Sequence, residues 1–96
     1  MSAYFVVDMD VVDPDLFGRY RENVEPFIHK HGGEYLARGG TVEVFEGDMD
    51  MHRVVLFRFP SRDAIRTFLA DPEYQDLKQV RFASAITRAF AVDGLD

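Results

Sequence analysis

Two short runs, YFVV at Tyr4–Val7 and VVLF at Val54–Phe57, carry apolar or aromatic side chains at every position. Successive side chains of an extended strand point to opposite faces, so each run offers apolar surface on both sides of a sheet. A sheet built from such strands has to be covered on both faces. This requirement constrains the fold more than any other feature of the chain.

The chain has 96 residues and is read as one domain spanning positions 1–96. A domain of this size buries only about 60 to 65% of its unfolded surface. Yet 47% of the residues are hydrophobic and nine are phenylalanine. That is more apolar area than a small monomer hides easily, and symmetric pairing of two copies is the commonest way to hide it.

The patterns between the runs supply the other elements. Ala3–Asp10 reads as a first strand. VVDPDLFGRYRENVEPFIHKHGG (residues 11–33) reads as a helix, with Asp13 as N-cap, Pro14 as first helical residue and a stripe of Leu16, Tyr20, Val24, Phe27 and Ile28. Pro26 should kink it near Glu22 or Asn23, and Gly32 and Gly33 supply a left-handed stop. Glu34–Arg38 and Thr41–Glu46 are both extended in character, which places a bulge or bend at Gly39 and Gly40. GDMDM (47–51) then makes a hairpin turn into a third strand, HRVVLFRFP (52–60). Ser61 and Asp71 are N-cap candidates for two helical pieces, and SAITRAFAVDG (84–94) closes as a strand. The order is β-α-β-β-α-β, an α+β ferredoxin-like arrangement with an antiparallel sheet and helices on one face. The uncovered face is then left for a second subunit.

Charge and composition narrow the partners. The formal net charge of −6 argues against nucleic-acid backbones and anionic membranes. There is no cysteine, which removes disulfides, thiolate nucleophiles and cysteine-ligated metals. The opening MSAYFVVDMD lacks the basic flank and apolar run of a signal peptide, and no segment approaches the ~20 apolar residues of a membrane span. The expected address is the cytoplasm.

HGGEYLARGG (31–40), the pair Glu46–Gly47, FRFPS (57–61) and DPEYQ (71–75) occur here in one order along nearly the whole chain. In these segments the sequence resembles the bacterial family called domain of unknown function 1330, within the dimeric α/β-barrel superfamily. The resemblance implies a ferredoxin-like protomer and a homodimer in which two sheets meet as a barrel. It implies no activity. The wider superfamily includes cofactor-free monooxygenases, small-ring isomerases, haem-degrading enzymes and chlorite dismutases, and fold alone does not choose among them. The haem-degrading members use a tryptophan with Asn and His; this chain has no Trp and a single asparagine, Asn23.

Candidate site residues follow from side-chain chemistry. Arg38, Arg58 and Arg88 lie on strands among apolar neighbours, where a guanidinium needs a partner or a cavity. Some of them clamp the carboxylate, enolate or phenolate of a small ligand, or they pair with Asp8, Asp10, Glu43 or Glu46 across the sheet, or are simply exposed. Tyr20 and Tyr74 either place hydroxyls in the cleft between helices and sheet or serve as core aromatics. Arg81 and Ser84 at the last helix–strand junction either cap the helix or meet a ligand. His31 precedes the glycine stop, where a cation suits the helix dipole. His29 and His31 are two apart and point to different sides, and His52 opens a strand as a solvated residue, so no metal site is expected. The acids in EGDMDMH lack the spacing of a calcium loop and read as turn chemistry.

The resulting expectation is a homodimer that binds a small organic acid, phenol or lactone through Tyr20, His31, Arg38, Arg58 and Tyr74. It would act, without a cofactor, by proton transfer or oxygenation. The alternative is a non-catalytic interaction module that uses the same apolar area only to pair.

Overall fold

The computed structural model describes residues 1–96. Strand β1 (Ala3–Val11) leads through α1 (Pro14–Asn23) and α2 (Glu25–Lys30) to β2 (Glu34–Arg38). Strand β3 (Arg53–Phe59) is followed by α3 (Arg62–Ala70), a 3₁₀ turn (Pro72–Tyr74), α4 (Gln75–Ser84) and β4 (Ala85–Asp93). The four strands form one antiparallel sheet in the order β2-β3-β1-β4, with β1 and β3 at its centre. This is the ferredoxin-like α+β fold that the pattern predicts.

The first helix starts where its cap chemistry says. The Asp13 carboxylate accepts from the Leu16 backbone N–H, and Pro14 occupies the first turn, where its missing N–H leaves nothing unsatisfied. Pro26 divides the predicted long helix into α1 and α2, with the break at Val24. The buried stripe is Phe17, Tyr20, Val24 and Ile28; Phe17 rather than Leu16 opens it, and Leu16 is only half-buried. The Ser61 hydroxyl caps α3 by accepting from Ala64, and the Asp71 carboxylate caps the 3₁₀ turn by accepting from Glu73. Gly32 adopts φ +80° and turns the chain out of α2.

Alternation divides the sheet cleanly. Ala3, Phe5, Val7 and Met9 of β1 and Val55, Phe57 and Phe59 of β3 are buried beneath the helices. The other face carries Val6, Leu56, Ile86, Phe90 and Val92, and no helix covers it: Phe90 is 62% exposed.

Two expectations about the middle of the chain need correction. Residues 41–46 form no strand, because β3 begins only at Arg53 and nothing in the chain lies opposite to pair with them. Residues 39–52 instead make one long exposed connection with bends at Glu46 and Gly47, not a tight hairpin, and Phe45 is 85% exposed. Of the bulge or bend expected at the glycine pair, the bend is present, at Gly39, but the bulge is not there. It falls between Tyr35 and Ala37, and Gly39, with φ +70°, ends the strand. Gly40 has an ordinary φ.

Candidate functional site

The bulge at Leu36 has a consequence for what faces the helices. In a regular strand Tyr35 and Arg38, three apart, would point to opposite sides. The extra residue returns Arg38 to the side of Tyr35, and its guanidinium lies 4.3 Å from the centre of the Tyr35 ring. Both then line a cavity of about 210 Å³ between the sheet and the helical layer.

The floor of this cavity is Phe5, Val7, Met9, Val55 and Phe57, and its roof includes Phe17, Val24, Ile28 and Phe68. Four arginines, Arg21, Arg38, Arg53 and Arg81, line the same space, with no aspartate, glutamate or histidine among the lining residues. Only Arg38 has a carboxylate partner, Glu25, at 2.9 Å. The Arg53 guanidinium packs against the Cα side of Gly39 and lies 5.8 Å from the Phe17 ring centre. Burial, together with the nearby charges of Arg21 and Arg38, pulls the Arg53 pKa below the usual arginine value. An acidic protein thus holds a locally cationic, mostly apolar hollow.

Two tyrosines complete the wall. The Tyr20 and Tyr74 hydroxyls share a 2.7 Å hydrogen bond, and Tyr74 is fully buried. Two O–H groups joined by one bond leave one phenolic proton over, and neither oxygen has another partner in the chain. Burial pushes the Tyr20 phenol well above the usual tyrosine range, and the neighbouring Tyr74 pushes it further. At neutral pH Tyr20 therefore stays a neutral phenol.

Of the residues expected at a site, Tyr20, Arg38 and Tyr74 meet on this cavity, while His31 and Arg58 lie elsewhere. The His31 ring bonds the buried Asp71 carboxylate at 2.8 Å, which also takes the Lys30 ammonium at 2.8 Å. Arg58 points to the open face of the sheet, where it donates to Ser2 and Asp96 and approaches Glu34. Arg88 is on the open face too, paired with the buried Asp8 at 3.1 Å. His52 is exposed, as expected, and its backbone N–H and ring both bond Asp8. Arg81 reaches the cavity, while the Ser84 hydroxyl bonds back to the Val80 carbonyl. No three His, Asp or Glu side chains converge in a way that could hold a metal ion.

Arg21, Tyr35, Arg53 and Thr87 were not picked out by sequence reasoning. Arg21 carried a signal, since it follows Phe17 by four and so borders the buried stripe of α1. Arg53 carried one as well: it falls in the alternation of Val55, Phe57 and Phe59.

No curated protein matches the chain. Among solved structures, a protein of unknown function from Rhodopseudomonas palustris, RPA0582, superposes with a TM-score of 0.75 at 18% identity, covering 99% of this chain and 83% of that one. SnoaB, a cofactor-independent oxygenase from Streptomyces nogalater, gives 0.66 at 15% identity, covering 99% and 94%. A dimeric ferredoxin-like protein of unknown function from Jannaschia sp. CCS1 gives 0.65 at 12% identity, covering 98% and 100%. These likenesses establish a shared fold. The family model of the domain of unknown function DUF1330 matches residues 2–95, and the chain belongs to that family.

Proposed function

We propose that the chain forms a homodimer through the open face of its sheet, and that each protomer binds a small organic acid, phenol or lactone in the arginine-lined cavity. The observation that carries this reading is the sign of the cavity: four arginines and no acid around an apolar hollow. Arg21, Arg53 and Arg81 have no carboxylate partner beside this apolar wall, and an anionic ligand would supply the missing charge.

The chemistry follows from what the wall offers. With no carboxylate or histidine lining it, the cavity has no general base of the usual kind. A substrate would ionise through its own acidity, with the arginines stabilising the enolate or phenolate. Tyr20 and Tyr74 would donate the spare phenolic proton to an oxyanion developing on the ligand. Cofactor-independent oxygenation or protonation of an ionised carbon fits this set, and the fold is shared with SnoaB.

The apolar side chains Ile86, Phe90 and Val92 on the uncovered face support pairing with a second copy. Calorimetric titration with small aromatic acids, phenols and lactones, followed by oxygen uptake for each binder, tests the proposal. Saturable binding of acids that weakens in Arg53→Met is the expected result. A dimer that binds none of them would instead be a non-catalytic interaction module.

A further inference from the structure

The long connection between β2 and β3 has a strand's composition without a strand's pairing. Thr41, Val42, Val44 and Phe45 are β-branched or aromatic, yet no part of the same chain lies opposite to receive them. Val42, Val44, Phe45 and Met49 all stand exposed. A monomer gains nothing from holding four apolar side chains in water on one short segment.

The returning half of this segment is nonetheless held in place. Asp8 is buried on the open side of β1, where its carboxylate accepts from the His52 backbone N–H at 2.8 Å and from Arg88 of β4 at 3.1 Å. The Arg88 guanidinium also donates to the Asp50 backbone carbonyl at 2.9 Å. These bonds carry residues 50–52 from β3 across β1 to β4, over the polar end of the open face. Gly47, at φ +84°, bends the chain at the far end, close in sequence to Phe45. The segment is thus an arm with a fixed base and an apolar tip. It does not fold back on its own sheet: Phe45 stays exposed although Asp50 reaches Arg88.

Area bears on where the tip belongs. On the open face, Ile86, Phe90 and Val92 of β4 are each more than half exposed, whereas Val6 and Leu56 are half-buried. At roughly 200 Å² for a large apolar side chain, the three on β4 offer about 300–400 Å². A standard interface takes about 800 Å² from each copy, about 65% of it apolar when the copies are identical. The face by itself falls short. At the same area per side chain, the four apolar residues of the arm offer about as much again. Sheets also twist, so two packed faces part toward their margins, and β4 is an edge strand.

We infer that the arm is a clasp between two copies of this chain: residues 41–49 of each copy lie along the row of Ile86, Phe90 and Val92 on β4 of the other, with Phe45 as the largest contact. The inference rests on the reading of the open face as the pairing surface. It adds a second, exchanged contact at the margin of that face and gives the Asp8–His52–Arg88 cluster the task of aiming the arm.

Phe45→Ser tests this without disturbing the protomer, because the side chain is exposed there. Sedimentation equilibrium on the full chain should show the dimer dissociation constant rise at least about tenfold, since two phenylalanines lose their cover in each dimer. Isotope-filtered NOE spectra of dimers mixed from labelled and unlabelled chains should place the Phe45 ring against the β4 row of the other copy. A dissociation constant unchanged by Phe45→Ser, or Phe45 contacts confined to its own chain, would overturn the clasp and leave pairing through the open face standing. Contacts to the other copy away from β4 would overturn the placement of the arm. An unaltered chain that sediments only as monomer would overturn the clasp and the pairing together.

Discussion

At Tyr20 and Tyr74 two hydroxyls meet inside the helical layer with only each other as partners. Removing one of them by Tyr20→Phe strands the fully buried Tyr74 hydroxyl, so unfolding in denaturant should show a loss of about 1–3 kcal/mol. Arg53→Met should behave in the opposite way. It replaces a guanidinium that has no carboxylate partner and a buried, unpaired Nε with an apolar chain of similar reach. The variant should melt at the same temperature or higher while losing acid binding, a pattern expected where function holds a strained group in place. A variant both less stable and still able to bind would show Arg53 to be structural. Neither residue stands out by type: a tyrosine on a helix stripe and an arginine at the start of a strand are common. What distinguishes them is whom they fail to meet, and contacts between residues 54 apart in the chain, as for the two tyrosines, are not written locally.

Elements are where caps and turns act, and here the sequence was most legible. Asp13, Pro14 and Ser61 start their helices because short-range hydrogen bonds and a fixed φ need only neighbouring residues. The glycine pair at 39–40 was legible only by half. Gly39 sits at φ +70°, and an added Cβ would strike the Arg53 guanidinium, whereas Gly40 has open space and an ordinary φ. Gly39→Val should therefore cost about 1–3 kcal/mol, with Gly40→Ala near neutral, as read from thermal and denaturant unfolding. A second element-level device is Asp71, whose carboxylate joins the end of α2 to the 3₁₀ turn through Lys30 and His31. Hydrogen bonds from the Lys30 ammonium and then the His31 ring, with the Glu73 backbone N–H, hold its pKa well below the ordinary carboxylate range. A carboxyl depressed in the fold stabilises it fully above its unfolded pKa of about 4, and that contribution is lost as pH falls toward the folded value. Melting temperature should thus fall below about pH 4, and Asp71→Asn should lower it at neutral pH while flattening the acid limb. An acid limb unchanged by Asp71→Asn would place the titrating group elsewhere.

For the molecule as a whole, the uncovered sheet face is the largest unmet demand. Phe90→Glu places a charge at the centre of that face, opposite Val6 in the register. If the copies pair as proposed, sedimentation should then show the dimer giving way to monomer, with a lower melting temperature, and an unaltered dimer would overturn pairing through this face. The need for cover was legible from YFVV and VVLF, since a strand's two faces follow from alternation alone. The sequence by itself determined the order of elements, their caps, the ferredoxin-like class and the existence of an apolar face to spare, because each depends on neighbours or on a fixed period along the chain. Only the tertiary structure decided that the bulge falls at Leu36, that Thr41–Glu46 goes unpaired, and that Arg21, Arg38, Arg53 and Arg81 meet around one cavity while Arg58 and His31 do not. Register and side-chain convergence arise from packing one element on another, and a single added residue in a strand reverses which face every later side chain presents.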